Sequence, residues 1–212
     1  MFYLRLNKVR ILNNRELLGK GEIQIMSFVT LGEADFPNFN EFFKTNDEKR
    51  KREIIENAVD KVINSRVLPE IGKVKDNQVI TFGDTGLIVY KADNIPPDFN
   101  WMLIAIESDK KTRDNAELIS KILTDKNITS IVGVISALAT VSNPVAAAIA
   151  TLSTLISKSL TTIFKKDKDD EAGLFLASFI EKEHYPNGKR EKEDVIDSTG
   201  NMYVDYTIFG YK

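Results

Sequence analysis

From Ile128 to Phe164 the chain carries one charged residue, Lys158, although charged residues make up 28% of its 212 residues. A stretch so long and so uncharged seldom stays solvated. It is buried in a core, handed to a lipid phase or covered by another copy of the chain. Ser142-Asn143-Pro144 divides it, because Asn caps helices and Pro suits the first helical position. The spacing therefore predicts an apolar helical hairpin. At the rise of an α-helix, the first arm, 128–140, is roughly 20 Å long and the second, 144–165, roughly 33 Å. Only the second matches the thickness of a hydrocarbon core.

Ile128, Ile131, Val132, Ile135 and Leu138 form the apolar stripe of the first arm. Val145, Ile149, Leu152, Ile156, Leu160 and Ile163 form that of the second, with Phe164 at its end. The opposite faces hold Thr, Ser, Gly and Ala in place of charge. Gly133 with Ala137, and Ala146 with Ala150, stand four apart, a spacing that lets helix backbones approach closely. Such faces neither require bulk water nor forbid burial.

The remainder of the chain alternates between strand and helix signals. Phe2, Leu4 and Leu6 have the two-residue period of a half-buried strand, and the shift to Val9 and Ile11 places a bulge near Lys8. A second run, from Glu22 to Val29, is expected to pair with the first as a hairpin. Gly32 to Phe43 reads as an irregular aromatic loop around Pro37. Thr45 and Glu48 have the spacing of a capping box, and Ile54, Ile55, Ala58, Val59, Val62 and Ile63 make one helical stripe that ends before Pro69. Val79–Phe82 and Leu87–Tyr90, joined by Gly83-Asp84-Thr85-Gly86, read as a second hairpin. Trp101 to Ile106 is an unalternating apolar run, hence a strand covered on both faces. Asp109 to Asp125 reads as a short helix, 165–171 as a charged linker, and Leu174–Ile180 and Met202–Phe209 as strands.

Strands at the start, middle and end, separated by helical segments, predict an α+β fold. Its expected form is one antiparallel β-sandwich domain over 1–212, with helical insertions at about 45–68 and 110–166.

Several function classes are excluded or disfavoured. The net charge of −2 argues against a nucleic-acid partner. The absence of cysteine removes disulfides, thiol catalysis and cysteine-based zinc sites. His184 is the only histidine, so histidine-pair metal sites are excluded within one chain. Counted from Asp167, an EF-hand loop fails at Ala172 and Ser178. Asp84, Asp93 and Asp98 could gather only if their loops meet. No phosphate loop or nucleophile motif is present. The expectation is a non-enzymatic protein without catalytic residues, cofactor or metal. Lys49, Arg50, Lys51 and Arg52 form the one basic run suited to anionic lipid, diluted by Asp47, Glu48, Glu53 and Glu56.

Two readings follow. In the first, an effector-like or toxin-like protein stores the hairpin until it inserts into, or perforates, a membrane. In the second, an interaction module uses the hairpin for core packing or for assembly with a second copy or another protein. The N-terminus lacks the regions of a secretory signal, which predicts synthesis in the cytoplasm and any release by a signal-independent route.

Overall fold

The computed structural model describes residues 1–15, 19–32, 36, 38–69, 71–107, 114–166 and 170–211. Its strands are β1 (Phe2–Ile11), β2 (Gly21–Leu31), β3 (Lys73–Val74), β4 (Gln78–Thr81), β5 (Leu87–Ala92), β6 (Asp98–Glu107), β7 (Asp170–Ile180), β8 (Gly188–Ile196) and β9 (Met202–Gly210). Its helices are α1 (Phe39–Phe42), α2 (Glu48–Asn64), α3 (Asn115–Ile122), α4 (Asp125–Ser136), α5 (Pro144–Lys166) and α6 (Glu181–His184), with a 3₁₀ turn at Ala137–Thr140. The fold is mixed α+β with two antiparallel sheets. The chain divides into two compact units: Met1–Val29, Arg66–Thr112 and Phe164–Lys212 form one, and Thr30–Ser65 with Arg113–Ile163 the other.

The first unit holds the sheets. In the larger one β1 pairs with β9, which pairs with β8, while β4 and β5 share the other edge of β1. The smaller runs β3-β2-β6-β7. Aromatic rings from the two sheets meet: Phe2 lies 5.4 Å from Phe99, and Trp101 lies 5.4 Å from Tyr206. The Trp101 indole donates to Ser27 Oγ at 2.9 Å, which satisfies a donor that would otherwise be stranded in the core. The bulge foreseen near Lys8 lies in the β1–β9 ladder between Leu6 and Lys8.

Neither expected hairpin forms. β1 and β2 belong to different sheets. Burial separates them: β1 alternates between buried and partly exposed residues, whereas β2 is buried continuously from Ile25 to Thr30 and sits beside the equally covered β6. β4 and β5 do not fold back on each other. Both run antiparallel to β1, β4 along Lys8–Ile11 and β5 along Phe2–Leu6, so the 83–86 turn is a sidestep between successive strands of one edge.

β8 has no counterpart in the sequence reading. Its residues Lys189 to Asp194 are all charged and exposed, so no apolar period marks it. Charge is what protects an edge strand from pairing with other chains.

A buried polar clamp ties β7 to the turn before β9. The Asp197 carboxylate accepts from Leu174 N and Thr199 Oγ1, both at 2.6 Å, and from Asn201 N and Met202 N, both at 3.0 Å. Asn201 Nδ2 in turn donates to Asn13 O and Ala172 O.

In the second unit α2 packs against α3 and α4. The stripe from Ile54 to Ile63 is buried as its period requires. The cap, however, is Asp47, whose side chain accepts from Lys49 N and Arg50 N, while Thr45 Oγ1 accepts from Asp47 N. Asp114 caps α3, which spans only the later part of the helix expected over 109–125. Residues 109–113 lie outside the described set, as do Pro37 and 167–169 of the charged linker.

Candidate functional site

The uncharged stretch forms α4, the 3₁₀ turn and α5, with the break at Ser142-Asn143 where the sequence places it. Asn143 Oδ1 accepts from Ala146 N at 3.2 Å, and Pro144 opens α5. The α4 stripe of Ile128, Ile131, Val132 and Ile135 is buried. In α5, Val145, Ile149, Leu152, Ile156, Leu160, Ile163 and Phe164 are each no more than 8% exposed. Leu138, expected on the same stripe, is only half-buried, because the chain has tightened to a 3₁₀ turn there.

The outward surface is where these segments depart from an ordinary solvated helix. Thr129, Ser130, Gly133 and Val134 of α4 are exposed, as are most residues from Ala137 to Asn143 and then Ala146, Ala150 and Thr154. Val134 and Val141 are each 41% exposed. No charge occurs between Asn127 and Ser157. Thr129, Ser153 and Thr154 each donate to the carbonyl four residues earlier. Within the same unit α2 behaves conventionally, with Lys49, Asn57, Asp60 and Lys61 exposed opposite its stripe.

The basic run on α2 is largely engaged. Arg50 donates to both carboxylate oxygens of Glu41 at 2.7 Å and to Glu53 at 3.2 Å. Lys51 pairs with Glu48 at 2.8 Å. Arg52 donates to Thr129 Oγ1 at 2.6 Å and lies 3.6 Å from Asp125. Three of the four cations are thus turned toward partners within the unit, and Lys49 is the one left facing outward.

His184 is exposed on α6, and its Nδ1 accepts from Ile180 N at 2.9 Å. Among the described residues, no three acidic, histidine or cysteine side chains stand together as metal ligands, and Asp84, Asp93 and Asp98 do not form such a group.

Sequence reading missed a polar hollow of about 260 Å³ on the first unit, on the face of β1, β9 and β8 that carries Arg5, Thr207 and Glu191. Its charged residues lie far apart in the chain, and only strand register joins them. Lys8 bonds to Asp205 at 3.0 Å, a hydrogen bond that raises the lysine pKa. Lys189 bonds to Glu191 at 2.7 Å and holds that carboxyl below the usual range.

No known protein-family model matches this chain. No curated protein is significantly similar to it.

Proposed function

We propose that the protein is a non-enzymatic interaction module in which a β-sandwich carries an apolar helical hairpin, and that the hairpin's outer surface packs against a second copy of the chain. The observation that carries this reading is the surface of α4, the 3₁₀ turn and α5, exposed yet without charge from Asn127 to Ser157. Gly, Ala, Ser and Thr dominate it. Small side chains contribute little apolar area to membrane adsorption, but they allow a facing helix to come close. The sandwich reading is supported by the aromatic contacts between the two sheets.

Light scattering of the purified protein across a concentration series tests assembly. A Cβ added at Gly133 meets no atom within 4 Å, so a side chain there starts into open space on the helix's exposed face. The expected result is a dimer or larger species that Gly133→Leu and Ala146→Glu convert to monomer. A wild type that is monomeric at every concentration, or an oligomer indifferent to both changes, refutes the reading.

A second reading, membrane insertion, is favoured by one observation. The stretch Pro144–Phe164 has 21 residues and a mean hydropathy of 1.3, enough to cross a bilayer by length and composition. It requires the buried stripe of α5 to leave its core for lipid, an exchange between two apolar surroundings with little net transfer energy. Dye release from liposomes would support this reading over assembly, and intact liposomes at every pH and lipid composition would remove it.

A further inference from the structure

The hollow on the larger sheet is built, and its irregularities converge. The β1–β5 ladder slips between Leu4 and Arg5, the β1–β9 ladder between Leu6 and Lys8, and the β8–β9 ladder between Lys192 and Val195. Bulges of this kind re-aim side chains, and they concentrate beside functional sites. Asp194, inside the last of them, has a φ of 49°, a left-handed conformation costly for a residue with a Cβ. The 83–86 turn that walls one side presses on β1 so closely that a Cβ at Gly86 would stand 2.8 Å from Asn7 Oδ1. The floor is polar and covered: Thr207 is 1% exposed and Asp205 7%. Asn7 Nδ2 donates to Thr207 Oγ1 at 2.7 Å.

Most charges in the hollow are already matched. The Lys8–Asp205 and Lys189–Glu191 pairs leave Arg5, Asp84 and Glu193 outside an ion pair among the described residues, although Glu193 also acts on Lys8 and Arg5 on Glu191 through space. Arg5 is pinned, with its guanidinium 4.3 Å over the Phe209 ring and Nη1 donating to Thr85 O at 2.6 Å. Its Nε is buried and has no acceptor. A buried donor without a partner is uncommon. Glu191 is near, but its oxygens are taken by Lys189 and Thr207. Asp84 and Glu193 carry the opposite sign.

From this juxtaposition we propose that the hollow binds a small zwitterion, of which a free amino acid is the simplest. Its carboxylate pairs with the Arg5 guanidinium, and its ammonium faces Asp84 and Glu193. An ion of either single sign would be matched by Arg5 or by the two carboxylates and repelled by the other. A volume of about 260 Å³ suits a ligand of this size and is too small for a folded partner.

Nuclear magnetic resonance titration of the isotope-labelled full chain tests this, with glycine, L-glutamate and L-lysine as probes and acetate, methylamine and glucose as controls. At least one amino acid should shift the Arg5 Nε–H and the Gly86 and Thr207 amides saturably. Its affinity should exceed that of acetate or methylamine about tenfold, or about 1.4 kcal/mol. Glu193→Gln, a change at an exposed rim residue, should weaken it about fivefold, and Arg5→Lys should abolish saturation while the amide spectrum away from the hollow stays that of the folded chain. The proposal is overturned by silence from all three amino acids, by acetate or methylamine binding as well, by glucose binding alone, or by an amino-acid affinity indifferent to Glu193→Gln. None of these outcomes depends on the oligomeric state.

Discussion

Asp197→Asn is the sharpest test of how the two sheets are joined. The two oxygens of Asp197 divide their work. Oδ1 receives Asn201 N and Met202 N inside its own turn, and Oδ2 receives Leu174 N from β7 and Thr199 Oγ1. An asparagine that keeps its carbonyl toward Asn201 and Met202 places an NH₂ against two donors. The Thr199 hydroxyl can rotate and accept, whereas the Leu174 N–H has no such freedom. Hydrogen bonds to a charged acceptor contribute about 1.5–3 kcal/mol, and stranding a buried donor costs about 1–3 kcal/mol. The net loss should be about 2–4 kcal/mol, with Asp197→Ala at or above the upper end because all four bonds disappear. Urea unfolding followed by circular dichroism and by fluorescence of Trp101, the only tryptophan, reads both the sheets and their core. With a urea slope of about 2 kcal/mol per molar, the midpoint should fall by about 1–2 M. A shift below about 0.3 M would mean that the turn holds without the carboxylate, and the clamp argument would fail.

Two further outcomes check other parts of the structure. Leu152 is fully buried in α5, so Leu152→Ala should cost about 2–5 kcal/mol in urea unfolding. A loss below about 1 kcal/mol would show that the α5 stripe is not a packed core. The hydrogen bonds from Arg50 hold the Glu41 carboxyl below its usual range. A depressed folded-state pKa means that the pair stabilises the fold above the unfolded carboxylate value of about 4.3, and that this contribution vanishes as pH falls through the folded value. Carbon-detected titration should find Glu41 low in the wild type and restored toward the ordinary value in Arg50→Gln; an unchanged midpoint would refute the assignment.

Local patterns in the chain were enough to place most elements. The Ile54–Ile63 stripe, the Asn143-Pro144 start of α5, the alternation of β1 and the doubly covered β6 each depend on neighbours within a few residues, where periodicity and capping chemistry act directly. The cap of α2 was displaced by two residues because Thr45 and Asp47 both offer an oxygen, and the choice between them depends on the backbone path out of α1. β8 was invisible because an edge strand facing water has no apolar face to show.

Partnership between strands was not legible. Hairpin chemistry at 13–14 and 83–86 pointed to nearest neighbours, yet β1 takes β9 on one edge and both β4 and β5 on the other. Backbone donors and acceptors are alike in every strand, so pairing is chosen by which faces must be covered, a property of the whole core. The hollow followed from that choice. Arg5, Asp84 and Glu193 come together only because β1, the 83–86 turn and β8 share one sheet surface. The amino-acid order by itself determined where the chain is apolar, where it turns and where charge is absent, since these are short-range facts. The tertiary structure alone decided which distant charges became neighbours, because electrostatic complementarity depends on distances that no linear spacing encodes.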